Sequence, residues 1–269
     1  MDMIKIIETA YNTGNLDDFR EIFSNFLAGL EDGSIRAAEK AGADWVTNTW
    51  VKKGILLGFK IGTIIEYKIS DNKTFLDKNT YPERNFSLKD NIRLVPGGSS
   101  VRRGTFIGKS VIMMPPMYIN VGAYVDEGSL IDSHALVGTC AQVGKNVHIS
   151  AAAQLGGVIE PIGANPVIVE DNVFIGGNCG IYEGVIISQN AIIAAGVILT
   201  AGTPVYDAIC SKFLERQPGK PLIIPSKAVV ISGSRILKEH PGFSAYCPII
   251  IKYRDDKSNT SVELETCIR

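Results

Sequence analysis

An aliphatic residue recurs at every sixth position through most of the second half of this 269-residue chain. The first run comprises ten positions: Val101, Ile107, Met113, Ile119, Val125, Ile131, Val137, Val143, Ile149 and Leu155. The second run, shifted by two residues, comprises Val169, Ile175, Ile181, Ile187, Ile193, Leu199 and Val205. A period of six fits neither an amphipathic helix, with its period of about 3.6, nor a half-buried strand, with its period of two.

This period is typical of the hexapeptide parallel β-helix, in which each group of six residues builds one face of a triangular coil. Successive coils stack through main-chain hydrogen bonds, about 4.8 Å apart, so the recurring aliphatic side chains fill the interior. The seventeen positions make between five and six coils, and Ile224 with Val230 is expected to add a last pair. We therefore predict a mainly β protein built on a left-handed parallel β-helix.

The remaining sequence suggests three parts. Residues 1–96 are predicted to form a helical N-terminal domain that ends in a polar linker, because apolar residues recur at steps of three and four up to about residue 70. Residues 97–235 are the predicted β-helix, with extruded loops near 160–167 and 207–223. Residues 236–269 are predicted to form a β-rich cap, since an open β-helix end must be covered to prevent end-to-end association.

Composition excludes several classes of function. With 27 basic and 28 acidic residues the chain has almost no net charge, which argues against a nucleic-acid or membrane partner. No uncharged apolar run approaches the roughly 20 residues of a membrane span, and the N-terminus is predicted to be an amphipathic helix, not a signal peptide. The five cysteines lack paired spacing, and only three histidines occur, so we expect a reducing cytoplasm and no metal site.

A β-helix presents flat faces and no deep pocket of its own. Several copies packed side by side would form grooves between them, and a triangular cross-section suits a homotrimer with intersubunit sites. Such a groove accommodates an extended ligand such as the pantetheine arm of coenzyme A.

Several longer motifs resemble one family of enzymes. They are YINVGAYVDEG at 118–128, VGTCAQVGKNVHIS at 137–150, GGVIEPIGANP at 156–166 and EDNVFIG at 170–176. Shorter ones are RAAEK at 36–40, WVKKGILL at 50–57, IRLVP at 92–96, GTPVYD at 202–207 and VVISG at 229–233. Together they resemble the tetrahydrodipicolinate N-succinyltransferases, a family of hexapeptide-repeat transferases, over nearly the whole chain.

The resemblance implies an acyltransferase that moves succinyl from succinyl-coenzyme A to the amino group of L-2-amino-6-oxopimelate, the ring-opened acceptor, in diaminopimelate and lysine biosynthesis. Coenzyme A is then a co-substrate, and no permanently bound cofactor is expected. Asp132 matches the family carboxylate that accepts or orients the amine proton. Arg93 matches the arginine that binds one end of the dicarboxylate acceptor.

The chain departs from the family pattern near these residues. Gly180 stands where many members carry a glutamate, and Glu183, three residues on, is a candidate for related work. His134 replaces a common tryptophan, and it competes with Asp132 as a base because other hexapeptide acyltransferases use histidine. His148 is predicted to be a structural, hydrogen-bonding residue.

The contacts to coenzyme A are predicted from groove geometry. Candidates for backbone contacts are Ser150, Gly156, Gly157, Ala194 and Ala195, and Lys227 is a candidate for the nucleotide phosphates. Arg102 and Arg103 could bind the succinyl carboxylate or cap a solvated edge. Two alternatives stay open: a paralogous N-acyltransferase that uses another acyl-coenzyme A or a related amino-acid acceptor, and a non-catalytic β-helix that binds a partner.

Overall fold

The N-terminal part contains three helices. In a computed structural model that describes residues 2–215 and 219–255, the helices are α1 (Met3–Thr13), α2 (Asp17–Asp32) and α3 (Thr49–Ile61). The side chain of Asp2 caps α1 by accepting a hydrogen bond from the Ile4 amide. Gly33 ends α2 with a left-handed φ of 81°, a conformation that glycine adopts without steric cost.

Two β-hairpins differ from the helical prediction for this region. Strands Ala38–Ala41 and Asp44–Thr47 form the first, and strands Ile64–Ser70 and Lys73–Lys78 form the second. The first hairpin has only four residues per strand and no apolar alternation that would reveal it. It is stabilised by tertiary packing, because Ala38 and Trp45 contact the β region at Ile168 and Ile186.

From residue 93 onward the chain forms short parallel strands, and consecutive strands belong in turn to three different sheets. Sheet A comprises Phe106–Ile107, Tyr124–Val125, Gln142–Val143, Ile168–Val169, Ile186–Ile187 and Ile223–Ile224. Sheet B begins with Arg93–Leu94, Ile112–Met113, Leu130–Ile131, His148–Ile149, Phe174–Ile175, Ile192–Ile193 and Ala228–Ile231. Sheet C comprises Ser100–Val101, Tyr118–Ile119, Leu136–Val137, Gln154–Leu155, Gly180–Ile181 and Ile198–Leu199. We name each corner by the sheets it joins: A–B, B–C and C–A.

The predicted six-residue positions are confirmed as buried strand residues, with one exception. Each is the second residue of a two-residue strand, and its side chain belongs to one continuous aliphatic core. The exception is Val205, which is buried but precedes the strand Tyr206–Asp207. That strand pairs in parallel with Ile249–Tyr253 at the end of sheet B, so the six-residue count stops after Leu199. Ile224 lies in the last strand of sheet A and Val230 in strand Ala228–Ile231 of sheet B, so both are buried strand residues, as predicted.

Of the two predicted loops, the one near 160–167 has no strand, whereas the one at 207–223 contains a strand. Residues 156–167 contain no strand and leave the C–A corner, where Lys52 of α3 donates a hydrogen bond to the Ala164 carbonyl. The segment predicted as a loop at 207–223 instead contains the strand Lys212–Phe213, antiparallel to Tyr206–Asp207. Residues 216–218 lie outside the described residues.

The C-terminal segment contributes a strand to sheet B, between Ala228–Ile231 and Tyr206–Asp207. Strand Ile249–Tyr253 pairs antiparallel with Ala228–Ile231, and Ser234–Ile236 forms a hairpin with Ser244–Tyr246. Residues 256–269 of the predicted cap lie outside the described residues. At the other end, strand Arg93–Leu94 already pairs with Ile112–Met113, so sheet B begins before the predicted boundary at residue 97.

The helices have a core of their own, which packs beside the aliphatic core. Phe19, Phe26 and Ile55 are fully buried there, together with Val121 and Cys140 from the β region. Among the described residues, no helix is both long and apolar enough to cross a membrane.

Candidate active site

Asp132 lies at the B–C corner, directly after the inward-pointing Ile131. Because side chains alternate along a strand, its carboxylate faces outward and is half-buried. The Oδ1 atom accepts a hydrogen bond from the Ser133 amide at 2.7 Å. In the described part of the chain, Oδ2 makes no hydrogen bond. The corner therefore orients the carboxylate and leaves one oxygen able to accept a proton or a hydrogen bond from a substrate amine.

The parallel register brings other predicted residues to the same corner. Ile131 pairs with Ile149, which places Ser150 beside Asp132 on the next strand. Gly176 and Ala194 continue this column, each bonded through its amide to the following strand. A Cβ added at Gly176 would lie 2.4 Å from the Ala195 amide nitrogen, so the backbone of Ala195 packs closely there. Ser150, Ala194 and Ala195 thus share one edge of the molecule with Asp132.

Arg93 lies in sheet B, and Asp132 lies at the corner that follows strand Leu130–Ile131 of the same sheet. Arg93 belongs to the first strand of sheet B, two strands, or about 10 Å, from the strand that leads into Asp132. Its side chain is exposed, and within the described residues its guanidinium forms no ion pair. Sheet B and its B–C corner therefore carry both a free cation and a carboxylate with a free oxygen.

His148 occupies the outward row of sheet B next to Asp132's strand. Its ring packs edge-on against Phe174, with ring centroids 5.0 Å apart, and its Nε2 atom is buried without a hydrogen bond. Burial lowers the pKa of His148, and the nearby charge of Asp132 opposes that shift. The ring is thereby held neutral at neutral pH. The predicted hydrogen-bonding role is not seen at Nε2.

His134 lies two residues after Asp132 at the B–C corner. Its ring is exposed, and its φ of 61° is left-handed. Other corners place asparagine in the same left-handed conformation: Asn146, Asn172, Asn178 and Asn190. A corner conformation thus accounts for the backbone at residue 134, and among the described residues its ring forms no hydrogen bond or ion pair with Asp132.

Glu183 belongs to a different corner from Asp132. It lies at the C–A corner, where its Oε2 atom accepts a hydrogen bond from the Ala201 amide at 3.1 Å. The carboxylate is thereby bound to a backbone amide 18 residues further along the chain. Within one chain the structure does not bring Glu183 and Asp132 together.

Gly180 lies in sheet C beneath the ring of Tyr182. A Cβ added at residue 180 would lie 2.4 Å from the Cε2 atom of that ring. The Tyr182 hydroxyl donates a hydrogen bond to Gln154 Oε1 at 3.0 Å, and Gln154 pairs with Gly180 on the neighbouring strand. Sequence reasoning missed this tyrosine–glutamine pair; the signal was the aromatic residue two positions after a glycine, which places both on one face of a strand.

The predicted coenzyme A contacts are divided among three corners. Gly156 and Gly157 begin the loop at the C–A corner, and Lys227 lies at the A–B corner with a φ of 64°. Ser150 and the two alanines lie at the B–C corner. One chain alone therefore does not gather these residues into one groove.

Arg102 and Arg103 are both paired with the N-terminal part. Arg102 forms an ion pair with Asp77, and Arg103 contacts both oxygens of Glu31 at 2.9 and 3.2 Å. The guanidinium groups are therefore engaged in holding the hairpin 64–78 and α2 against the β region.

Comparison with known proteins places the chain in a sequence family. A family model described as "Tetrahydrodipicolinate N-succinyltransferase N-terminal" matches residues 2–61, and one described as "Hexapeptide repeat of succinyl-transferase" matches residues 166–201. A 2,3,4,5-tetrahydropyridine-2,6-dicarboxylate N-succinyltransferase of Cupriavidus necator is 40% identical over 94% of this chain and 90% of its own. One of Paraburkholderia phytofirmans is 40% identical over 98% of this chain and 97% of its own.

A solved structure from Campylobacter jejuni, described as a candidate 2,3,4,5-tetrahydropyridine-2-carboxylate N-succinyltransferase, shares 15% identity with a TM-score of 0.49. It covers 86% of this chain and 62% of the other. At that level of similarity the likeness supports no inference about the present chain.

Proposed function

The chain belongs to the tetrahydrodipicolinate N-succinyltransferase family, and on that premise we propose that it transfers succinyl from succinyl-coenzyme A to the amino group of L-2-amino-6-oxopimelate, the ring-opened form of tetrahydrodipicolinate. It is an acyl-coenzyme A-dependent N-acyltransferase of diaminopimelate and lysine biosynthesis. The observation that carries this function is the 40% identity over nearly the full length of both chains.

The proposed chemistry uses Asp132 and Arg93. A carboxylate of the acceptor binds the guanidinium of Arg93, which matches carboxylate geometry. The neutral amine attacks the thioester carbonyl carbon while Asp132 Oδ2 accepts its proton. The carbon–nitrogen bond forms, the carbon–sulfur bond breaks, and the proton passes to the leaving thiolate, so coenzyme A leaves as the thiol.

We further propose that the three sheets close into a left-handed β-helix and that three copies assemble with sites between them. Two observations support assembly. The candidate residues are distributed over three corners of one chain, and the outward row of sheet B is apolar and half-buried at Ile112, Leu130 and Phe174. A groove between neighbours would unite corners that a single chain keeps apart, so Glu183 or the Tyr182–Gln154 pair of one copy could face Asp132 of another.

The division into residues 1–96, 97–235 and 236–269 also stands as a proposal. It is supported by the separation of the helical core from the aliphatic core. A cytoplasmic location is proposed because Cys140, Cys179, Cys210 and Cys247 are free thiols.

The test of function is an assay of coenzyme A release with the tetrahydropyridine dicarboxylate as acceptor. We expect turnover with succinyl-coenzyme A to exceed turnover with acetyl-coenzyme A at equal concentration. No release with either donor would contradict the assignment to this pathway. Size-exclusion chromatography with light scattering measures the molar mass of the protein in solution. A monomer at micromolar concentration would contradict the proposed intersubunit site.

A second candidate is a paralogous N-acyltransferase with another acyl donor or amine. The packing of Tyr182 over Gly180 favours it, because sheet C then offers a phenol and an amide where many family members carry a carboxylate. A preference for acetyl-coenzyme A in the same assay, or turnover only with a different amino acid, would establish this alternative.

A further inference from the structure

A cavity of about 190 Å³ lies between the first hairpin and sheet A, away from the corner that carries Asp132. Its walls come from Arg36 and Trp45 on the hairpin side and from Asp126 and Asp171 at the A–B corner. Sites for drug-sized ligands occupy about 300 to 1,000 Å³, so this cavity suits only a small molecule. None of these four residues has a role in the proposed acyl transfer.

Arg36 is fixed on one side of the cavity. Its guanidinium stacks on the Tyr124 ring at 3.6 Å from the centroid, and its Nε donates a hydrogen bond to Gln142 Oε1 at 3.1 Å. Gln142 is fully buried and is itself oriented by a hydrogen bond to the Cys140 carbonyl. Within the described residues, the two terminal nitrogens of Arg36 make no hydrogen bond. The fork that recognises a carboxylate is therefore held in place and left free.

Asp126 and Asp171 line the same cavity as this guanidinium. Burial lowers the pKa of Arg36, and the charges of Tyr124, Asp126, Glu39 and Asp171 oppose that shift, so Asp126 and Asp171 lie within electrostatic range of the guanidinium. Neither forms an ion pair with any described residue. Their Oδ1 atoms accept backbone hydrogen bonds, Asp126 from Glu127 and Asp171 from Lys145, each at 2.8 Å. The guanidinium and the two carboxylates thus line one cavity and, among the described residues, form no ion pair with one another.

Glu170 makes the wall rigid. It accepts hydrogen bonds from Lys40 at 2.8 Å, from Trp45 Nε1 at 2.8 Å and from the Gln189 amide at 3.0 Å. The charge of Lys40 is balanced by this ion pair, and the hydrogen bond holds the Trp45 ring against sheet A. Among the described residues of the cavity wall, three charged side chains therefore remain without an ion-pair partner: Arg36, Asp126 and Asp171.

We propose that this cavity binds a small zwitterion, an α-amino acid, with its carboxylate on the Arg36 fork and its ammonium group between Asp126 and Asp171. A simple anion would bring a negative charge beside two carboxylates, and a simple cation would approach a guanidinium. A molecule that carries both charges on adjacent atoms satisfies both walls at once. The inference does not depend on the proposed acyl transfer.

The first experiment is isothermal titration of the full-length protein with a panel of L-α-amino acids at millimolar concentration. The best binder is then compared with its deaminated and decarboxylated counterparts, for example L-2-aminobutyrate with butyrate and propylamine. We expect binding by the amino acid and at least about tenfold weaker binding by either counterpart, since a hydrogen bond to a charged group contributes about 1.5 to 3 kcal/mol. Equal binding of butyrate, or no binding across the panel, would overturn the proposal.

Variants locate the binding. Asp126→Asn and Arg36→Gln are each expected to weaken amino-acid binding at least about tenfold. If Arg36→Gln folds poorly, Asp126→Asn still tests the site, because asparagine keeps the shape of the side chain and its backbone hydrogen bond. Asp18→Asn is the control for loss of a surface carboxylate, because Asp18 is exposed on α2 and does not line the cavity. Asp132→Asn should leave binding unchanged even when acyl transfer is lost. Loss of binding in Asp132→Asn, or full binding in Asp126→Asn, would refute this site.

Discussion

The ring of Tyr182 covers Gly180 so closely that a Cβ at residue 180 would lie 2.4 Å from the ring. Real Cβ atoms do not approach a neighbour to that distance, so any side chain at residue 180 requires the tyrosine to move. The Tyr182 hydroxyl is also bound to Gln154 on the adjacent strand. Glycine at residue 180 is therefore a packing requirement of this particular chain.

Gly180→Ala should destabilise the protein. We expect a loss of about 1 to 3 kcal/mol in the free energy of unfolding, the usual cost of overpacking, measured by urea denaturation. Gly163→Ala is the matched control, because a Cβ at Gly163 meets nothing within 4 Å. In a protein that already carries Tyr182→Ala, Gly180→Ala should cost less free energy of unfolding than it does in the unaltered protein. Equal stability of the two glycine variants would contradict the packing argument.

Asp132→Asn should lower kcat by at least about 10², the low end of the range for a general base. The amide oxygen of asparagine can still accept the hydrogen bond from Ser133, so the fold and the mass of the assembly should not change. The measurement is coenzyme A release at saturating substrates. Near-normal activity would transfer the role to His134 or to Glu183, and His134→Gln and Glu183→Gln would then separate these two.

Arg93→Met should raise the KM for the dicarboxylate acceptor about tenfold or more, because a charge-assisted contact to a carboxylate is lost. The KM for the acyl donor should change much less. Lys109→Met serves as a control for the general loss of a surface cation, since Lys109 is also exposed. An unchanged acceptor KM in Arg93→Met would exclude the guanidinium from the site.

His148 should make stability depend on pH. Burial lowers the pKa of His148 below its ordinary value of 6.5, so the unfolded chain binds a proton at this residue more readily than the folded chain. The stability that the neutral His148 ring contributes is fully present above about pH 6.5, and it is lost as the pH falls through the lowered pKa of the folded state. The free energy of unfolding should therefore fall less steeply for His148→Gln than for the unaltered protein between pH 7 and pH 5. Parallel pH profiles would contradict this contribution.

The cysteines should differ in reactivity. Burial raises the pKa of Cys140 to about 12 and that of Cys179 to about 11, and Cys247 is also buried. Cys210 is exposed, although a hydrogen bond to Asp207 raises its pKa as well. Iodoacetamide at pH 8 should therefore alkylate Cys210 at least tenfold faster than the three buried thiols, as followed by peptide mass spectrometry. Rapid alkylation of Cys140 in the folded protein would refute the packing around it.

The architecture of the β region could be predicted from one repeated property. An inward side chain in every sixth position is a local requirement that each strand of the three sheets repeats. The strand positions from Val101 to Leu199 could therefore be assigned without any knowledge of their neighbours. The hairpin at residues 38–47 could not, because its short strands are stabilised by contacts of Ala38 and Trp45 with residues more than a hundred positions away. Strand Tyr206–Asp207 likewise depends on its pairing with Ile249–Tyr253.

The strand positions, the family and the place of Asp132 after an inward-pointing residue can be derived from the amino-acid sequence, because they depend on a short period and on local motifs. The contacts between distant residues are set by the three-dimensional fold. It placed Arg93 in the sheet whose corner carries Asp132, put Glu183 at another corner, laid Tyr182 over Gly180 and brought Arg36, Asp126 and Asp171 to one cavity. These relations depend on how the strands pair and on how the N-terminal part packs against the three sheets, and both are set by contacts between residues distant in sequence.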